Sequence, residues 1–111
     1  MKINVEQNPG TVLLTFSGEI ISRSEQQMVS DLIARKLDEG ERVFVIDLSE
    51  VPYISSLGIA VLVATHVKVS RAGGKLRLVN PRPRVSAVLE MTRISEILTT
   101  FDSVEEALRA Q

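Results

Sequence analysis

The 111-residue chain contains no cysteine, and that absence removes a disulfide framework, a thiolate zinc site and a cysteine nucleophile together. Histidine is almost as scarce. The single His66 would be the base of any serine hydrolase built on Ser56, yet the two lie ten positions apart in one predicted helix. At 1.5 Å per residue that is about 15 Å, far outside hydrogen-bond reach. No G-x-S-x-G elbow is present either. Charge of one sign is also missing: 13 basic and 14 acidic residues leave a net charge of -1, so no field draws in a polyanion or an anionic membrane. Arg82 and Arg84, interleaved with Asn80, Pro81 and Pro83, have no aromatic residues among them to stack on bases, which argues against a nucleic-acid partner.

Long apolar runs are lacking as well. The longest follows Leu57 and is interrupted by Thr65, His66 and Lys68, well short of the roughly 20 residues of a membrane span. Residues Met1 to Gln7 alternate apolar and polar side chains, unlike the basic-then-apolar order of a signal peptide. A soluble, cytoplasmic protein is expected. Asp47 and Glu50 gather no further acid, histidine or cysteine, so no metal centre is expected. The stretch Arg71-Ala72-Gly73-Gly74-Lys75 matches neither the P-loop nor the dinucleotide fingerprint and reads as a turn. Neither a cofactor nor a catalytic residue is predicted.

What is present is enough apolar content, 44%, for one core and therefore one domain, residues 1–111. Residues 2–7 and 11–17 alternate as two strands around the turn Asn8-Pro9-Gly10, a hairpin. From Ser22 the period becomes helical, through Met28, Leu32, Ile33 and Leu37, with Ser22 or Ser24 as N-cap and Gly40 as terminator. Val43 to Leu48, nearly continuous and β-branched, suits a central strand covered on both faces. Leu57 to Arg71 is too long for a strand and closes on Gly73-Gly74, so it is predicted helical despite its valines. Lys75 to Val79 is a further strand. Pro83 starts a helix with Val85, Val88 and Leu89 buried. Ile97 to Phe101 adds a short last strand. Asp102 or Ser103 caps a final helix, with Ser103 and Glu106 spaced as a capping box. The implied fold is α/β: a β-hairpin, then alternating helix and strand, forming a mixed sheet with helices packed against it.

The informative segment is Val51-Pro52-Tyr53-Ile54-Ser55-Ser56-Leu57-Gly58-Ile59. Two hydroxyls at a helix start place one beside the N-cap, where free N–H groups and the positive end of the helix dipole would accommodate a phosphate. The same pair is equally readable as an ordinary cap, and Gly58 as a residue that lets the helix sit tightly on the sheet.

This segment resembles the signature of STAS-type anti-sigma factor antagonists, in which a phosphorylatable serine lies two residues before a glycine. Gly18-Glu19-Ile20, Val45-Ile46-Asp47-Leu48-Ser49, Gly73-Gly74-Lys75-Leu76, Val88-Leu89-Glu90-Met91-Thr92 and Phe101-Asp102-Ser103-Val104-Glu105-Glu106-Ala107 extend the likeness along essentially the whole chain. The resemblance implies a non-enzymatic switch. When unphosphorylated, it would bind an anti-sigma factor with serine-kinase activity and so free a sigma factor. Phosphorylation of Ser56, with Ser55 the second choice, would release it, and a phosphatase would restore it. The implied partner interface comprises Glu19, Ile21, Ser22, Ser55, Ser56, Leu57 and Gly58. Two positions depart from the family's usual pattern: Ser55 stands where many members have aspartate, and Ile21 where an acidic residue is frequent. The alternative function is a constitutive STAS scaffold, or an accessory subunit of a transport or stress-sensing assembly, using the same helix face without phosphorylation.

Overall fold

A computed structural model of the chain describes residues 1–19 and 22–110. The alternating segments form β1 (Lys2–Asn8) and β2 (Thr11–Ser17), paired antiparallel across a turn in which Gly10 takes φ +76°. There follow α1 (Arg23–Asp38), β3 (Val43–Glu50), α2 (Ser56–Arg71), β4 (Lys75–Val79), α3 (Pro83–Met91), a single 3-10 turn (Ile94–Glu96), β5 (Thr100–Phe101) and α4 (Val104–Arg109). The five strands lie in the order β1-β2-β3-β4-β5, with β2 to β5 parallel. The predicted hairpin, mixed sheet and central position of β3 are all observed.

Strand alternation divides the side chains between two layers. Val12, Leu14 and Phe16 of β2, Phe44, Ile46 and Leu48 of β3, and Leu76 and Leu78 of β4 pack in one core with buried residues of α1, α2 and α3. Each such leucine, isoleucine or phenylalanine contributes about 1.5–3 kcal/mol on leaving water, so this face holds the fold together. The opposite face is covered by α4, whose Ala107 packs on Val45 and Val79. That is why β3 reads as a continuous apolar run. On the same face Arg77 is buried and its guanidinium Nη2 donates to the carbonyl oxygen of Ala110 at 2.7 Å, at the helix end where the dipole favours a cation.

Three local expectations are corrected. Met28 is not in the core: it is 44% exposed, and α1 buries Val29, Leu32 and Ile33 instead, with Leu37 partly covered. The predicted strand from Ile97 to Phe101 shrinks to Thr100–Phe101. Ile94 and Leu98 both enter the core, and the Leu98 N–H donates to the Ile94 carbonyl at 2.8 Å, so the chain coils there instead of extending. The predicted helix at Leu57 starts one residue earlier, at Ser56. The cap alternatives resolve to Ser22 for α1, accepting from the Glu25 N–H, and Ser103 for α4, accepting from the Glu106 N–H. In the latter box the Glu106 carboxylate accepts from Asp102 N–H, one residue before the cap.

Candidate functional site

The loop between β3 and α2 emerges at the C-terminal end of the parallel strands, where α/β sheets place their sites. Its approach is tied from both sides. Toward β2, the Gly18 N–H donates to the Glu50 carbonyl at 3.0 Å, and the Ser17 hydroxyl donates to the Glu50 carboxylate at 2.9 Å. Toward β4, Arg82 Nε donates to the Ser49 carbonyl at 2.7 Å. Asp47 Oδ1 accepts from Ser49 N–H at 2.9 Å and from the Asn80 amide at 3.5 Å. Asp47 thus fixes the exit of the strand. Val51 is buried, and its N–H donates to the Leu48 carbonyl, so the loop leaves a rigid base.

The two hydroxyls have different situations. Ser55 is the N-cap, with φ -92° and ψ 176°, and its Oγ accepts from the Gly58 N–H at 3.4 Å. Ser56 is the first residue of α2, is exposed, and its hydroxyl has no hydrogen-bond partner among the described residues. Ser55 is therefore engaged by the helix end, whereas Ser56 presents its Oγ to solvent beside the free N–H groups of the first turn. No acidic residue lies in that turn. A consequence is measurable in stability: Ser55→Ala should cost about 1 kcal/mol by loss of the cap, and Ser56→Ala close to nothing, as read by urea denaturation of the two variants.

Gly58 is buried, and a Cβ there would stand 2.6 Å from Ile54 Cγ1. The glycine lets Ile54 fold back over the first turn. Together with Met1, Phe16, Gly18, Leu48, Val51, Tyr53 and Leu62 these residues line one small apolar depression, which couples the shape of the loop to the core. Leu57 is half-buried against the same core. Tyr53, which the sequence pattern did not single out, is 49% exposed on this loop.

Beyond Ser56 the outward face of α2 carries Ala60 and Ala64, both exposed, at the four-residue spacing that stacks side chains on one face. They form one wall of a groove of about 290 Å³ against α1, whose rim includes Arg23 and Lys68. The apolar residues of α2 divide in two: Val61, Leu62 and Val69 are buried within the domain, while Ala60, Ala64 and Val67 are exposed. Glu19 follows β2, half-buried, and Ser22 caps α1. Ile21 lies outside the described residues. His66 sits on the same helix as Ser56, ten residues on, half-buried and beside Ser70 and Leu76. No helix among the described residues is long and apolar enough to cross a membrane.

Comparison with known proteins agrees with this architecture. The STAS domain family model matches residues 2–107. The Bordetella bronchiseptica protein BtrV, named as a candidate anti-sigma factor antagonist, is 30% identical over 110 residues, covering 99% of this chain and 94% of its own length. Among solved structures, a candidate anti-sigma factor antagonist of Thermotoga maritima superposes with a TM-score of 0.86 at 24% identity, covering 96% of this chain and 91% of its own. The Bacillus cell fate determinant SpoIIAA in its phosphorylated form gives 0.73 at 16% identity, covering 96% of both chains. The chain belongs to the STAS domain family, among the anti-sigma factor antagonists.

Proposed function

We propose that this protein is a phosphorylation-controlled binding module that captures an anti-sigma factor with serine-kinase activity, and that the phosphate is carried by Ser56. The observation that carries this reading is the division of labour between the two serines: Ser55 is occupied as the cap, and Ser56 is exposed and unpartnered among the described residues. The names of its relatives supply the partner class, anti-sigma factors, and SpoIIAA, a structural neighbour, is known in both unphosphorylated and phosphorylated forms.

Unmodified, α2 offers exposed Ser56 in its first turn and the small exposed side chains of Ala60 and Ala64 in the turns beyond, which allow close approach by a partner surface. A phosphate on Ser56 adds about 1.5 to 2 negative charges. The helix N-terminus accommodates them in the free protein, so the domain need not refold. A partner covering that turn must desolvate the same charges, or face them with its own, and binding is lost. A phosphatase acting on the exposed side chain then restores the binding form.

The test is incubation with the anti-sigma kinases of the same organism and ATP, followed by peptide mass spectrometry of wild type, Ser56→Ala and Ser55→Ala. One phosphate that disappears only in Ser56→Ala is expected. A phosphate retained in Ser56→Ala and lost in Ser55→Ala would contradict the assignment, and no phosphate from a kinase that binds the protein would favour the constitutive scaffold.

A further inference from the structure

The sheet has two edges, and they differ. β5 is two residues long; β1 is seven, pairs with β2 along its whole length without a register shift, and among the described residues has no strand on its other side. Unpaired N–H and C=O groups along such an edge form a template for another strand unless charges, proline or a bulge blunt it. β1 has no proline and no bulge, and every residue in it except Ile3 is exposed. Val5 is 38% exposed, and beside it on α1 Met28 is 44% exposed; with Ile3 and Leu32, and with Asp31 and Arg35 of opposite charge, they line one shallow groove. The only charges on the strand are Lys2 and Glu6, one of each sign.

We propose that β1 is a self-association edge at which a second copy of this chain adds its own β1 antiparallel, joining the two sheets. The two-fold axis passes beside Asn4. With Asn4 opposite Asn4, Lys2 of each copy faces Glu6 of the other, and Ile3 faces Val5, both twice. Because alternate residues share a face, the ion pairs lie on one side of the joined sheet. The apolar pairs lie on the side carrying α1, where Met28 extends them. Centring the axis on Val5 sets Lys2 against Asn8 and Glu6 against Asn4, which leaves both charges unpaired. A slip of one residue turns the helices of the two copies to opposite faces. The contact is isologous and therefore closes at two copies. The edge lies two strands away from β3, which leads into the Ser56 loop, so this association is independent of the phosphorylation reading.

A strand-edge contact of this kind falls at the small end of specific interfaces, so dissociation constants on the order of tens of micromolar are expected at low salt. Sedimentation velocity of the full chain between about 1 and about 500 µM should show a monomer passing into a dimer, weakened by added salt. Lys2→Glu alone, or Glu6→Lys alone, places like charges opposite each other twice and should weaken the dimer at least about tenfold. Both sites are exposed, so circular dichroism should match wild type. Mixing the two single variants should produce a heterodimer, and the double variant should dimerise like wild type, because both restore opposite charges at every pair. A wild type that stays monomeric throughout overturns the proposal. So does a dimer that both single variants leave intact, or a mixture that does not recover association.

Discussion

Ser56→Asp is expected to weaken binding of the cognate anti-sigma factor by about a hundredfold or more, with no loss of thermal stability. The two halves of this expectation have separate causes. In the free protein a carboxylate in the first turn of α2 interacts favourably with the helix dipole, by about 0.3–1 kcal/mol, and the position is exposed, with no side-chain bond to break among the described residues. In the complex the same carboxylate must be desolvated against the partner, and a cost of roughly 3 kcal/mol corresponds to more than a hundredfold in affinity. Calorimetric titration beside a melting curve for the same sample separates the halves. Ser56→Ala, which removes the hydroxyl without adding charge, should bind nearly as wild type. Equal affinity for wild type and Ser56→Asp would favour the constitutive scaffold reading.

The second large effect concerns the fold. Gly74→Ala should lower stability by about 3 kcal/mol or more, which for a chain of this size is a fall in Tm of ten degrees or more, at roughly 4 °C per kcal/mol. A Cβ at Gly74 would lie 2.3 Å from the carbonyl oxygen of Arg42 and 2.9 Å from Val69 Cγ1. The carbonyl cannot retreat cheaply, because it accepts from the Lys75 N–H at 2.8 Å where β4 begins beside β3. Its neighbour provides the control. Gly73 has open space around a Cβ but takes φ +81°, so Gly73→Ala should cost only the left-handed penalty of about 1–2 kcal/mol. Thermal melts of the two variants should therefore rank Gly74→Ala well below Gly73→Ala, and a reversed order would contradict the close approach of the two backbones.

Much of this architecture is legible in the residues because the local signals agree with one another. The alternation in β2 and the unbroken run in β3 distinguish a strand with a half-covered second face from one covered by α4. Pro83 at the first turn of α3 and the glycine pair after α2 mark their boundaries directly. Where the reading failed, tertiary packing overrode a local pattern. Met28 and Val29 are equally apolar neighbours, and only the way α1 lies across the sheet decides that Val29 is covered and Met28 is left at the β1 edge. Ile97 to Thr99 belongs to a segment of strand-like composition, but the core positions offered to Ile94 and Leu98 favour a coiled path there.

The site was legible as a segment and less so as a geometry. The family resemblance, with its serine two residues before a glycine, points to Ser56, yet adjacent serines before a helix are interchangeable on paper. Their roles separate only once the helix start is fixed at Ser56 and the Ser55 hydroxyl is seen capping Gly58 N–H. Gly58 is readable from the residues only as a position where a missing side chain allows close packing; what occupies the space is the Ile54 side chain, four residues earlier in the same loop.

The central claim is that one phosphate on the first turn of α2 decides whether the partner binds. The direct measurement is titration of the anti-sigma factor with two preparations of the same chain, one unmodified and one carrying a single phosphate on Ser56, with hydrogen exchange of both free forms recorded alongside. The account predicts tight binding by the unmodified form, at least about a hundredfold weaker binding by the phosphoprotein, and matching protection of the β3, β4 and α2 amides in the two free forms. Equal affinities, or weak binding accompanied by unfolding of α2 in the phosphorylated protein, would contradict it.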